Sequence, residues 1–120
     1  MKNLKLKSVI ALFLFVASYN MNAQTPHYTF SGTGELTCSD VNTKLGISRI
    51  CGSVVHNSTS FTATITGYEK IGIDAFKTLT GLTAVTISSS VTEIDAYAFD
   101  ETVNLSSLTF EGTIPPTMHA

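Results

Sequence analysis

Residues 71–87 read Ile-Gly-Ile-Asp-Ala-Phe-Lys-Thr-Leu-Thr-Gly-Leu-Thr-Ala-Val-Thr-Ile, and residues 94–110 read Ile-Asp-Ala-Tyr-Ala-Phe-Asp-Glu-Thr-Val-Asn-Leu-Ser-Ser-Leu-Thr-Phe. Laying Ile71 on Ile94 brings Ala75 onto Ala98, Phe76 onto Phe99, Leu82 onto Leu105, Val85 onto Leu108, Thr86 onto Thr109 and Ile87 onto Phe110, all at one offset of 23 residues. A fixed period of this size means a solenoid, because one strand with its return segment cannot bury its apolar side until a neighbouring coil stacks on it. The expected fold is mainly β, a strand plus a short helical turn in each coil.

Strand alternation assigns the core. Val85 and Ile87 point inward in one coil and Leu108 and Phe110 in the next, with Leu82 and Leu105 leading in from the bend and Ile71 and Ile94 following the turn. On the return side, Asp95 is placed to cap a helical turn that aims Phe99 at the core, as Gly72 does for Phe76. Phe76 and Phe99 should stack as a spine, and Phe99→Ala should cost about 3–5 kcal/mol. Upstream, Ser60 to Thr66 alternates strictly and matches the later strands when Ala63 is laid on Val85, a degenerate first coil at a spacing of 22.

Before that coil the signal weakens. Residues 27–38 place Phe30, Leu36 and Cys38 on one face, with Gly32 and Gly34 between them, and read as a strand or a hairpin broken at the glycines. Val41, Leu45, Ile47 and Ile50 fit either a short helix or irregular packing. Residues 24–58 are thus expected to be a β-rich cap over the open end of the solenoid core.

Lys2, Lys5 and Lys7 precede an apolar run from Val9 to Ala17, then small and polar residues up to Asn22-Ala23-Gln24. That order is the one of a secretory signal peptide, with cleavage placed after Ala23, and the run is too short to span a bilayer. Removal of residues 1–23 leaves 97 residues, with Lys44, Arg49, Lys70 and Lys77 against nine acidic residues, a formal charge of −5. Nucleic acid needs clustered basic residues, so this balance argues against it as a partner and disfavours attachment to an anionic membrane surface. Export also permits a disulfide between Cys38 and Cys51, worth about 3 kcal/mol. The alternative is two small buried apolar residues. Two cysteines without further ligands at metal-binding spacing make no zinc site.

The period and the L-x-x-L-x-L spacing are those of leucine-rich repeats. More specifically, Ile71-Gly-Ile-Asp-Ala-Phe, Leu82-x-x-Val85-x-Ile87, Ser90-Val-Thr-Glu-Ile94 and Ala98-Phe99 resemble the repeats of BspA-like bacterial surface proteins, across residues 59–116. The chain departs from that pattern where Leu79 and Thr102 stand at the usual Cys position and Ser88 at the usual Pro. The resemblance implies an exported protein of Bacteroidetes-type bacteria, found in the periplasm, on the outer surface or outside the cell. It also implies adhesion or recognition rather than catalysis.

The outward strand positions hold Thr62, Thr64 and Thr66, then Ala84, Thr86 and Ser88, then Ser107, Thr109 and Glu111. The sheet face of a solenoid is the usual ligand surface. Threonine is equally what an exposed strand selects for its own stability. Without Trp, Tyr or Arg the grid supplies no anchor for a tight protein contact. A regular hydroxyl array for ice or crystalline polysaccharide is a further reading. His27, His56 and His119 are scattered, and Asp74 and Asp95 occupy different positions in the coil, so no catalytic set, metal site or cofactor is expected.

The expected organisation is a signal peptide over 1–23, a cap over 24–58, about 2.5 coils over 59–114 and a tail over 115–120. Phe110 and Ile114 would stand at an open end, as in a truncated product or a chain that pairs end to end. Two functions follow. One is a non-enzymatic surface module for a protein or glycan ligand. The other is an assembly module that stacks on another copy or a longer relative.

Overall fold

The computed structural model describes residues 24–52 and 56–119. The expected signal peptide, 1–23, lies outside the described residues. Two parallel sheets of four strands each run the length of a solenoid. The long strands are β1 (His27–Ser31), β3 (Phe61–Thr66), β5 (Leu82–Ile87) and β7 (Ser107–Phe110). The short ones are β2 (Glu35–Leu36), β4 (Lys70–Ile71), β6 (Glu93–Ile94) and β8 (Thr117–Met118). Among the described residues a single helix, α1 (Cys38–Leu45), follows β2. Each coil contributes one strand to each sheet, and the apolar side chains meet between them.

Register explains both what the repeat shows and what it hides. Thr64 pairs with Thr86 and Thr86 with Thr109, offsets of 22 and 23, whereas Thr29 pairs with Thr64, an offset of 35. The first coil is longer because α1 and the loop after it are inserted into its return segment. Residues 24–58 therefore give the first strand to both sheets, and β1 lies parallel to β3 rather than folding back as a hairpin. The shorter offset between β3 and β5 accompanies a bulge, where Phe61 faces Leu82 but Thr62 faces Ala84.

The helix is specified locally. Thr37 accepts from the Asp40 N–H while Asp40 accepts from the Thr37 N–H, a reciprocal capping box, and Gly46 in a left-handed conformation ends it. In the two later coils the return segments are chains of i→i+3 turns, Ala75→Gly72, Lys77→Asp74 and Leu79→Phe76, repeated at Ala98→Asp95, Asp100→Tyr97 and Thr102→Phe99. Left-handed residues interrupt them at equivalent places, Asp74 and Thr78, then Tyr97 and Glu101. Each interruption prevents a continuous helix and bends the chain around the core. Asp95 does not cap this turn through its side chain, which instead reaches Lys70 at 3.4 Å.

Ile71, Phe76, Leu82, Val85, Ile87 and Ile94 are buried, joined by Phe30, Leu36, Val41, Phe61, Ile65 and Leu79. Phe76 and Phe99 stack with centroids 5.2 Å apart and planes 3° from parallel, and Phe30 meets Phe76 edge-on at 5.3 Å. The last coil departs from the expected core. Phe99, Leu105 and Phe110 are half-buried, and Leu108 is 37% exposed, because no further coil covers them among the described residues.

Candidate functional site

The outer face of the long sheet is built by alternation. In β3, Phe61, Ala63 and Ile65 turn in, which sends Thr62, Thr64 and Thr66 out. Ala84 and Thr86 of β5 continue this surface, with Ser88 just after the strand, as do Ser107 and Thr109 of β7, with Glu111 just after it. The structure adds a strand that the repeat offset concealed. His27, Thr29 and Ser31 of β1 extend the grid, so that Thr29, Thr64, Thr86 and Thr109 form one row in direct register across four strands. Adjacent parallel strands lie about 4.8 Å apart, which sets the repeat of the hydroxyls along this row. The alternation in His27-Tyr-Thr-Phe-Ser31 was the signal available for these three residues.

His27 fixes one corner of the grid. Its Nδ1 lies 2.6 Å from Thr62 Oγ1 and its Nε2 3.0 Å from Thr64 Oγ1, so both ring nitrogens are engaged by hydroxyls. Neither bond goes to a carboxylate, which leaves the imidazole without the acidic partner of a nucleophilic triad.

On the short sheet, Glu35, Lys70, Glu93 and Thr117 stand in register. The Lys70 ammonium is held above its ordinary range, first by a hydrogen bond to Asp95 and the field of that carboxylate, then by Glu93 and Glu35. His119 Nε2 meets Glu93 Oε2 at 2.7 Å. Glu93, Asp95 and His119 bring one ligand atom each within 4.8 Å of one another. A divalent cation there would have to displace the His119–Glu93 contact and the Lys70–Asp95 pair.

A third feature was not anticipated. Arg49 is buried, 5% exposed, where the first coil meets the second. Its Nε donates to Asn42 Oδ1 at 2.9 Å, Nη1 to the Lys77 carbonyl at 2.9 Å and Nη2 to the Ala75 carbonyl at 2.6 Å. One coil later, the equivalent carbonyls of Ala98 and Asp100 accept from the backbone N–H groups of Phe76 and Thr78. The guanidinium therefore substitutes for two peptide groups of the return-side ladder, which His56 continues by donating to the Thr78 carbonyl. Burial pushes its pKa down to about 10, opposed by Asp74, and it stays charged at neutral pH. Cys38 and Cys51 are joined beside it, with Cα atoms 6.1 Å apart.

At the other end, Tyr97, Val103, Leu108, Ile114 and Met118 are exposed. Hollows of about 420 Å³ beside Val91, Ile114 and Pro115, and of about 320 Å³ beside Ile94, Tyr97, Phe99 and Met118, open onto the last coil.

A family model described as BspA type leucine rich repeat region (6 copies) matches residues 47–116, more than half of the chain. The chain belongs to this family. The match begins before the visible repeats and takes in Arg49 and Cys51. No curated protein and no solved structure matches the chain. BspA-type repeats are leucine-rich-repeat units, which serve as protein-interaction modules and are typically non-catalytic and borne on surface proteins. Among the described residues, no helix is long and apolar enough to cross a membrane.

Proposed function

We propose that this BspA-type chain is exported and acts at the cell surface as a non-enzymatic adhesion or recognition module for a protein or glycan. The outer face of the long sheet, centred on Thr64 and Thr86, makes the contact. The supporting observation is the Thr29–Thr64–Thr86–Thr109 row, a hydroxyl-lined surface that spans four strands and that none of the short-sheet strands covers. The test is binding of the chain to panels of immobilised glycans and host extracellular-matrix proteins. A ligand retained by the unsubstituted chain and lost at least tenfold with Thr64→Arg or Thr86→Arg supports the reading. Retention by both variants removes this face from it.

A second reading rests on the exposed Tyr97, Val103, Leu108, Ile114 and Met118. These residues lie at the end where both sheets present an unpaired strand, β7 and β8, among the described residues. Stacking on another copy or on a longer relative would continue the coil-on-coil interface already repeated along the molecule. Light scattering separates the two, since concentration-dependent growth favours assembly and a steady monomer favours the sheet face.

A further inference from the structure

The two sulfurs of the disulfide stand in unlike surroundings. Cys38 is 7% exposed, whereas Cys51 is exposed. Arg49 Nη2 lies 2.8 Å from Cys38 Sγ, and the corresponding contact to Cys51 Sγ is a neutral amide, Asn42 Nδ2, at 3.9 Å. The guanidinium is held in place by its bonds to Asn42, Lys77 and Ala75, so it needs no rearrangement to meet a charge that develops on Cys38. Cys38 is also the first residue of α1, where unpaired N–H groups favour negative charge. Two carboxylates oppose this. Asp40 is turned into the capping box with Thr37, and Asp74 acts on Arg49 through space. Lys77 adds little, because its ammonium is directed to the Tyr97 ring and to Asp100.

We propose that the Cys38–Cys51 bond is a thiol-exchange site, at which a low-molecular-weight thiolate attacks the exposed Cys51 Sγ and expels Cys38 as a leaving thiolate stabilised by Arg49. The incoming sulfur donates its electron pair to Cys51 Sγ, and the electron pair of the Cys38–Cys51 bond departs with Cys38 Sγ. One S–S bond forms as one breaks, and the product is a mixed disulfide on Cys51. A second thiolate can resolve it, leaving the dithiol and one molecule of oxidised thiol. Such exchange is faster when the leaving sulfur is the better stabilised anion, and access sets which sulfur is struck. This reactivity is independent of the sheet face and of the proposed ligand. Its structural effect falls on the loop that carries Arg49, the group that holds the Ala75 and Lys77 carbonyls.

The test uses the oxidised chain with glutathione, quenched early with acid and mapped by mass spectrometry. The glutathione adduct is expected on Cys51 over Cys38 by about tenfold or more. An even split, or an adduct mainly on Cys38, overturns the proposal. Exposure alone would also direct attack to Cys51, so the reduction rate is compared in Arg49→Gln and Arg49→Lys. The charge assigned to Arg49 predicts about a tenfold slowing with Gln and a substantial recovery with Lys. Equal rates in the two variants, or faster reduction in both from a loosened loop, overturn the role of Arg49. If neither variant folds, the adduct partition in the unsubstituted chain still decides where attack occurs.

Discussion

The two ends of this solenoid solve the same problem in opposite ways. Every internal coil offers backbone groups and apolar side chains to both neighbours, so the first and last coils among the described residues each have one neighbour fewer. At the first coil, Arg49 supplies two N–H donors to the carbonyls of Ala75 and Lys77, α1 forms part of the return segment, and the disulfide ties the start of α1 to the loop that carries Arg49. At the last coil, Leu108 and Ile114 are exposed and Phe99 is half-buried. On the return side, a side chain can thus take the place of a neighbouring coil's peptide groups.

Equivalent residues should therefore cost different amounts at the two ends. The largest effect falls on Phe76, which is fully buried between Phe30 and Phe99. Phe76→Ala should cost about 3–5 kcal/mol in a urea denaturation curve. The repeat alone assigned that figure to Phe99, but its partly buried ring should lose clearly less, about 1–2 kcal/mol. Equal losses at both positions would mean that the last coil is covered in solution.

Next, replacing both Cys38 and Cys51 by Ser should lower stability by about 3 kcal/mol under oxidising conditions and change nothing under reducing ones. Arg49→Met should cost about 2 kcal/mol, because it leaves the buried carbonyl of Ala75 without a donor and that of Lys77 with the Thr78 hydroxyl alone. Hydrogen exchange should then show weakened protection around Phe76 and Thr78 before the centre of the long sheet is affected. At the far end, Ile114→Lys should change the unfolding free energy from urea curves by less than about 0.5 kcal/mol. If assembly uses this end, the same change should abolish concentration-dependent scattering. Smallest of all, Glu93→Gln removes one exposed contact to His119 and should change stability by at most about 0.5 kcal/mol.

Much of the middle of the molecule was legible from its residues. The offset of 23 between Phe76 and Phe99 reports a spatial repeat, and the inward set of Val85 and Ile87 follows from strand alternation. The same periodicity could not reveal β1, whose partner lies 35 residues on, since an inserted helix breaks the offset without breaking the register. Thr29 was hidden for this reason. Leu108 was misplaced for a different one, because alternation gives the direction of a side chain but not whether anything lies opposite it.

By itself, the order of residues determined the coil, its period, its two inward strand positions, the aromatic spine and the family, because each is a local pattern repeated along the chain. Tertiary structure alone decided the four-strand threonine row, the burial of Arg49 against carbonyls 26 and 28 residues away and the contrast between the ends. Those features depend on which segments meet across space. A buried arginine that stands in for the backbone of a neighbouring coil carries no mark in its own stretch of sequence, since its partners are peptide carbonyls that every residue possesses.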